Sequence, residues 1–67
     1  MRKVYKYSEP RSLGMKTLSL NGKEITGRLE VTELKEVDGS ERQLAFSFFP
    51  VDGGVWIKMQ GEKWESV

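Results

Sequence analysis

Apolar and polar residues alternate along most of this 67-residue chain, which is the pattern of β-strands with one buried face. The clearest example is Met15–Leu20, where leucines alternate with threonine and serine. Asn21-Gly22 follows at once and favours a two-residue type I′ turn, because both positions of that turn need positive φ. The pattern therefore predicts a hairpin in which Leu18 lies opposite Ile25.

The strand after this turn has two irregular positions. Gly27 falls on its inner face, where a missing side chain indicates either sharp bending or close approach of another backbone. Beyond Val31 the apolar residues move to the other parity. We therefore predict a β-bulge in which Thr32 and Glu33 both lie opposite Ala45.

The next turn offers two registers. A two-residue loop would place Glu36 opposite Glu41 and Lys35 opposite Arg42, and like charges directly opposite destabilise a sheet. A three-residue loop, Asp38–Ser40, places Glu36 opposite Arg42 instead. We predict the three-residue loop on electrostatic grounds.

The C-terminal half of the chain alternates again from Arg42 to Phe49, and a glycine-rich turn separates this run from the next strand. In the predicted register Phe48 lies opposite Ile57, which places both side chains in one apolar core. The same register leaves Phe49 facing Trp56 on the opposite side of the sheet. A last turn then leads to a short tail.

The predicted fold follows from these pairings, with Leu29 opposite Phe48 and Val31 opposite Phe46. No helix is predicted to cover the apolar face, so the sheet must curl on itself or pair with another copy. We predict an all-β fold, a small antiparallel meander of four to six strands. It is either curled into an SH3-like, partly open barrel or completed by dimerisation. A single domain spans residues 1–67.

The composition excludes several kinds of chemistry. The chain has no cysteine and no histidine, which removes disulfides, thiolate metal sites, thiol nucleophiles and the usual general base. No glycine-rich loop opens a helix to hold a phosphate. We therefore predict a non-enzymatic protein without cofactor, metal site or small-molecule substrate. No apolar stretch follows the basic start, so neither an export signal nor a membrane partner is predicted, and a cytoplasmic location is expected.

Aromatic residues supply the first candidate site. If Phe49 and Trp56 are cross-strand neighbours outside the core, with Lys58 beside them, they form a patch that can bind a protein partner. Trp64 is included because the tail can fold back over that patch. The structural alternative is ordinary sheet stabilisation, which a chain this short needs.

The N-terminal region is the second candidate. Residues 2–7 alternate as a strand, whereas Ser8–Gly14 has no clear period. Within it, Ser8–Ser12 is predicted as a loop with at most one helical turn. Residues 1–16 carry a net charge of +4, while the whole chain carries +1. Lysines on an edge strand discourage aggregation, which is the structural interpretation. The functional alternative is nucleic-acid binding through basic and aromatic side chains of this strand. These are Arg2, Lys3, Tyr5, Lys6 and Tyr7.

Thr17–Leu29, a strand, an Asn-Gly turn and a bent strand with glycine, resembles the first motif of Sm-like RNA-binding proteins. The resemblance covers about a fifth of the chain. The second motif of that family is not found here. The resemblance implies a small β-barrel.

Three functional hypotheses follow. The first is a binding module that acts through protein–protein contacts, including contacts with a second copy of itself. The second is a nucleic-acid-binding small barrel that uses the N-terminal strand. The third is a small protein inhibitor of a larger enzyme.

Overall fold

The computed structural model describes residues 3–67 as one antiparallel sheet of six strands. The strands are β1 (Tyr5–Tyr7), β2 (Arg11–Leu20), β3 (Lys23–Glu36), β4 (Arg42–Pro50), β5 (Trp56–Met59) and β6 (Glu65–Ser66). The predicted all-β, antiparallel fold is confirmed, and the sheet is not closed into a barrel. Across residues 3–67, no helix is long and apolar enough to cross a membrane.

The 14-residue strand β3 organises the sheet. Strands β1 and β2 lie end to end along one side of β3, and β4, β5 and β6 follow in order on its other side. The β4 register begins at Gly27, next to a hydrogen bond of 3.0 Å from the Val51 N–H to the Thr26 carbonyl, so residues 23–25 pair with β2 alone. The β2–β3 hairpin therefore extends beyond the rest of the sheet, and the molecule measures 40 × 20 × 16 Å.

The predicted hairpin at Asn21-Gly22 is confirmed. Both turn residues have positive φ, 53° for Asn21 and 79° for Gly22, as a type I′ turn requires. Leu18 lies opposite Ile25. Local turn chemistry was sufficient to set this register.

The register between β3 and β4 differs from the prediction at one end. Val31 lies opposite Phe46, as predicted, but the pairing then continues through Thr32 and Ala45 without interruption. The predicted bulge at Thr32-Glu33 is therefore wrong. The Asp38–Ser40 loop is wrong too, because the strands stay paired up to Lys35 and Arg42.

A bulge does occur, but it lies in β2. Ser12 pairs with Glu30 and Gly14 with Leu29, which leaves Leu13 without a partner. Gly14 has φ +84°, and its N–H donates to Ser12 Oγ at 3.1 Å. The predicted loop over Ser8–Ser12 is wrong at Arg11 and Ser12, which belong to β2, because the extra residue interrupts the alternation by which strands are recognised.

The register of β5 is shifted by one residue from the prediction. Phe48 lies opposite Trp56, and Phe46 lies opposite Lys58, so the predicted pairing of Phe48 with Ile57 is wrong. The larger indole is turned toward the interior, and Ile57 is left 45% exposed. A lysine is tolerated in the inward position because its methylene stem packs on apolar surface while its ammonium stays in water.

The two faces of the sheet differ in burial. We call the face that carries Leu20, Val31 and Phe48 the core face; these three side chains are the buried hydrophobic residues, at 3%, 8% and 0% exposure. We call the opposite side the outer face. Leu20 lines a cavity of about 260 Å³ together with Trp56 and Trp64. The sheet therefore curls around its core face, bringing the hairpin end near the C-terminal strands.

Candidate binding surfaces

The predicted partner-binding residues lie on two different faces. Trp56, Lys58 and Trp64 share the core face, since Trp56 and Lys58 pair with Phe48 and Phe46 and the Trp64 ring centroid lies 6.2 Å from that of Phe48. The ammonium of Lys58 lies 5.8 Å from the ring centroid of Trp64. The structure therefore brings these three residues together as half-buried walls of the interior.

Phe49, the fourth predicted residue, lies on the outer face. It pairs with Arg28, whose guanidinium lies 5.1 Å from the ring centroid. Arg28 Nε also donates to a carboxylate oxygen of Glu30 at 2.9 Å. The predicted contact between Phe49 and Trp56 is wrong, because the one-residue shift of β5 turns Trp56 to the other side.

The predicted nucleic-acid-binding residues are also divided. Lys6 projects from the core face, because it lies opposite Lys35. Tyr5 and Tyr7 alternate with it on the outer face, and Tyr7 is 74% exposed. Lys3 is ion-paired on the outer side, while Arg2 lies outside the described residues. Within β1, the tyrosines and Lys6 therefore face opposite sides of the sheet.

An ion cluster explains how the unexpected register tolerates Glu36 beside Glu41. The N–H of Glu36 donates to the carbonyl of Glu41 at 2.9 Å, so the two glutamates are cross-strand neighbours. The Lys3 ammonium donates to a carboxylate oxygen of Glu41 and lies 4.0 Å from Glu36. Tyr5 Oη and Gln43 Nε2 donate to the other oxygen of Glu41 at 3.2 and 3.0 Å. The N-terminal strand thus supplies the charge that offsets the repulsion.

This cluster predicts a pH dependence of folding. The hydrogen bond from Lys3 and then that from Gln43 hold the pKa of the Glu41 carboxyl below its usual value. A lowered folded-state pKa contributes stability that is present above the unfolded-state pKa and is lost as the pH falls through the folded one. We expect the free energy of unfolding of the wild type to exceed that of Glu41→Gln at neutral pH, and the difference to shrink in acid. Urea unfolding across acidic pH measures it.

Lys3→Gln provides the matched control for this prediction. This substitution removes the other half of the same contact. In the Lys3→Gln background, Glu and Gln at position 41 should therefore no longer differ in the pH dependence of the free energy of unfolding. The double variant should be little less stable than Lys3→Gln alone. A difference between the wild type and Glu41→Gln that stays constant from neutral to strongly acidic pH would contradict the prediction.

Three cations form a row across the sheet, on the core face near the loop between β3 and β4. Lys6 lies opposite Lys35, and Lys35 lies opposite Arg42. All three side chains are exposed. We call these residues the cationic row. Like charges directly opposite destabilise a sheet, so the row costs stability in each of its two pairs.

The cationic row is part of a wider separation of charge between the two faces. Within residues 3–67, seven cationic side chains project from the core face against Glu33 as its one strand carboxylate, a net +6. The cations are Lys6, Arg11, Lys16, Lys23, Lys35, Arg42 and Lys58. The outer face carries five glutamates against Lys3 and Arg28, a net −3. The glutamates are Glu24, Glu30, Glu36, Glu41 and Glu65. A net charge of +1 for the chain conceals this asymmetry.

The free side of β2 is the other notable surface. In a two-residue hairpin the residues next to the turn exchange both backbone hydrogen bonds, so bonded and outward-pointing residues alternate along the strand. Leu20 and Leu18 therefore bond to β3, whereas Ser19, Thr17 and Met15 direct their backbone N–H and C=O away from the sheet. All three have exposed side chains. The edge is thus able to pair with another strand.

Sequence reasoning missed the cationic row and the β2 edge. The sequence did contain a signal for the cationic row. Along much of β3, lysines and glutamates occupy alternate positions and therefore opposite faces, as in Lys23-Glu24 and Lys35-Glu36. Assigning Arg42 and Lys58 to the same face required the registers of β4 and β5. The β2 edge was hidden because its first residues were predicted as a loop.

Comparison with known proteins assigns no family. No protein-family model matches the chain, and searches of curated proteins and of solved structures find no significant match. Within residues 3–67 there is also no group of three or more Asp, Glu, His or Cys side chains arranged to hold a metal ion. The features of the chain that bear on its function are therefore the charge separation between its two faces and the free edge of β2.

Proposed function

We propose that this chain is a non-enzymatic binding module that acts through protein–protein contacts, and that its partner is a second copy of itself added along β2. The observation that carries the proposal is the outward-pointing backbone of Met15, Thr17 and Ser19. Of the two predicted ways to complete the sheet, an SH3-like, partly open barrel and dimerisation, this proposal takes dimerisation.

The sequence of β2 supports pairing with itself. Edge strands are normally protected by charges, proline or bulges. Here Pro10 and the bulge at Leu13 lie at one end of β2, while Lys16 is the only charged residue from Met15 to Leu20. This stretch pairs with β3 without a register shift, and it has the length of an ordinary short strand.

A two-fold axis at Thr17 gives a self-complementary register. Antiparallel pairing about this residue places Lys16 opposite Leu18 of the second copy and Met15 opposite Ser19, so no like charges meet. Such an interface is isologous, as in most protein dimers. Because the axis runs perpendicular to the sheet, the core faces of the two copies point to the same side.

Burial gives a second reason for a partner. A domain of about 60 residues buries only about 60% of the surface that its unfolded chain exposes and is correspondingly marginal. Within the described part of the chain three hydrophobic side chains are buried, while Met15 is 57% exposed beside the free edge. Pairing along β2 would cover Met15 and satisfy the outward backbone groups.

The test is the oligomeric state of two substitutions at Thr17. Thr17→Pro removes an outward N–H and should give a monomer, because proline cannot donate to a new strand pair. Thr17→Val removes the hydroxyl contact with Thr26, 2.8 Å between the two Oγ1 atoms, but keeps the backbone donor, so it should remain dimeric. Light scattering coupled to size exclusion measures both.

Two outcomes would overturn this proposal. One is a wild-type chain that stays monomeric at the highest soluble concentration. The other is equal dissociation of both variants, which would assign the effect to loss of the threonine contact. Circular dichroism of Thr17→Pro measures whether the variant retains the sheet.

A further inference from the structure

We infer that the core face binds single-stranded nucleic acid, with the cationic row holding phosphates and the neighbouring aromatic side chains contacting bases. This function goes beyond self-association and does not depend on it. The site also differs from the N-terminal strand considered in the sequence analysis, since among the described residues of that set, Lys3 and Tyr5–Tyr7, only Lys6 lies on the core face.

Charge separation is the first observation. A net +6 on one face and −3 on the other directs a polyanion to the core face, and phosphate contacts dominate the affinity of nucleic-acid-binding proteins. Neighbouring strands lie about 4.8 Å apart, so the row from Lys6 through Lys35 to Arg42 spans roughly 10 Å. The ion pairs of Lys3 and Arg28 lie on the other side of the sheet.

The cost of the cationic row is the second observation. Lys6, Lys35 and Arg42 repel one another across two strand pairs in a domain with little stability to spare. A bound phosphate chain would relieve this repulsion. The row is thus better suited to the bound state than to the free protein.

The shape of the charge favours a polymer over a small anion. Core-face cations extend from Lys6, near the far end of the sheet, to Lys23 beside the hairpin turn, in a molecule 40 Å long. Along β4, the seven residues from Arg42 to Phe48 cover about 20 Å. A linear chain of phosphates can contact such a strip at several points.

Aromatic side chains distinguish nucleic acid from other polyanions. Phe46, Trp56 and Trp64 lie on the core face and are only partly buried, and Lys58 lies between Phe46 and Trp64. Positive charge that follows the backbone, combined with rings that stack on bases, is typical of single-strand binding. An anionic membrane fits less well, because the exposed apolar residues Met15 and Ile57 lie on the outer face with the glutamates.

The two tryptophans allow a direct test, since both lie on the core face. Oligothymidylate is titrated into the full-length chain at low salt while intrinsic fluorescence is followed. We expect quenching as bases approach the indoles. Binding should weaken as salt rises, and the slope of log affinity against log salt should fall by about 0.7 for each phosphate contact removed.

Two variants on β3 distinguish the contribution of the core face to binding from that of the outer face. Lys35→Gln removes a core-face cation and should weaken binding severalfold and lower the salt slope. Arg28→Gln removes one charge from the outer face of the same strand and should leave both unchanged. Lys35→Gln should melt no lower than the wild type, because it relieves repulsion, so its loss of binding cannot be loss of fold.

Three results would contradict this inference. The proposal is overturned if oligothymidylate gives neither quenching nor a mobility shift at low salt, or if Arg28→Gln weakens binding as much as Lys35→Gln. It is also overturned if heparin, duplex DNA or vesicles containing phosphatidylserine bind more tightly than oligothymidylate, because the face would then recognise another class of polyanion.

Discussion

Phe48→Ala is expected to leave the protein largely unfolded at room temperature. Among residues 3–67, Phe48 is the one side chain with no exposed surface, and the Trp64 ring centroid lies 6.2 Å from its own. Truncating a buried phenylalanine to alanine costs about 3–5 kcal/mol. The whole stability of a chain this size is roughly 3–10 kcal/mol, at about 0.05–0.15 kcal/mol per residue. Urea unfolding followed by tryptophan fluorescence measures the loss.

Phe49→Ala is the matched control because it makes the same chemical change at the next position. Phe49 is half-buried on the outer face, where its ring contacts the Arg28 guanidinium. We expect a loss of about 1–2 kcal/mol from the cross-strand and cation–π contacts. If Phe49→Ala were as damaging as Phe48→Ala, the assignment of the core to one face would be wrong.

Gly27→Ala is expected to be the most damaging glycine substitution. A Cβ at position 27 would lie 2.7 Å from Pro50 Cα and 2.8 Å from the Phe49 carbonyl carbon, and it would also collide with the Phe49 carbonyl oxygen. These atoms are backbone, so β3 and β4 would have to separate. Overpacking of this kind typically costs 1–3 kcal/mol. Since each kcal/mol shifts Tm by roughly 4–8 °C in a domain this small, thermal denaturation will detect it.

Gly39→Ala provides the control for Gly27→Ala. An added Cβ there meets only the carboxylate end of Glu36, which can rotate away, so we expect a change within about 0.5 kcal/mol. Gly27 and Gly39 both lack the positive φ found at the other glycines, so neither comparison includes backbone strain. Equal destabilisation by the two substitutions would contradict the close approach of β3 and β4.

Gly27 illustrates which features were predictable, since its place on the inner face indicated either sharp bending or close approach of another backbone, and the structure shows the close approach. A glycine on the inner face of a strand has few explanations, and the contact of Gly27 with the Phe49-Pro50 backbone is one of them. Asn21-Gly22 was equally informative, since its turn fixes the pairing of the residues on either side. Both inferences needed only local geometry and residue type.

Two of the failed predictions share one cause. Cross-strand charge was used to choose the register near Asp38–Ser40, but Lys3, distant in sequence, offsets the repulsion between Glu36 and Glu41. Hydrophobic pattern was used to turn Ile57 inward, but Trp56 occupies that side. In each case a contact from another part of the chain outweighed a modest pairwise preference.

By itself, the sequence determined the antiparallel β architecture and the hairpin at Asn21-Gly22, and it marked Gly27 as an irregular position of β3, because alternation, turn chemistry and a missing side chain act over a few residues. Only the tertiary structure decided which face each of Trp56, Lys58 and Arg42 occupies, and therefore where the positive charge gathers. The reason is the two-residue period of a strand, in which a register shift of one residue moves every side chain to the opposite face. Such a shift is set by the sum of contacts across the sheet.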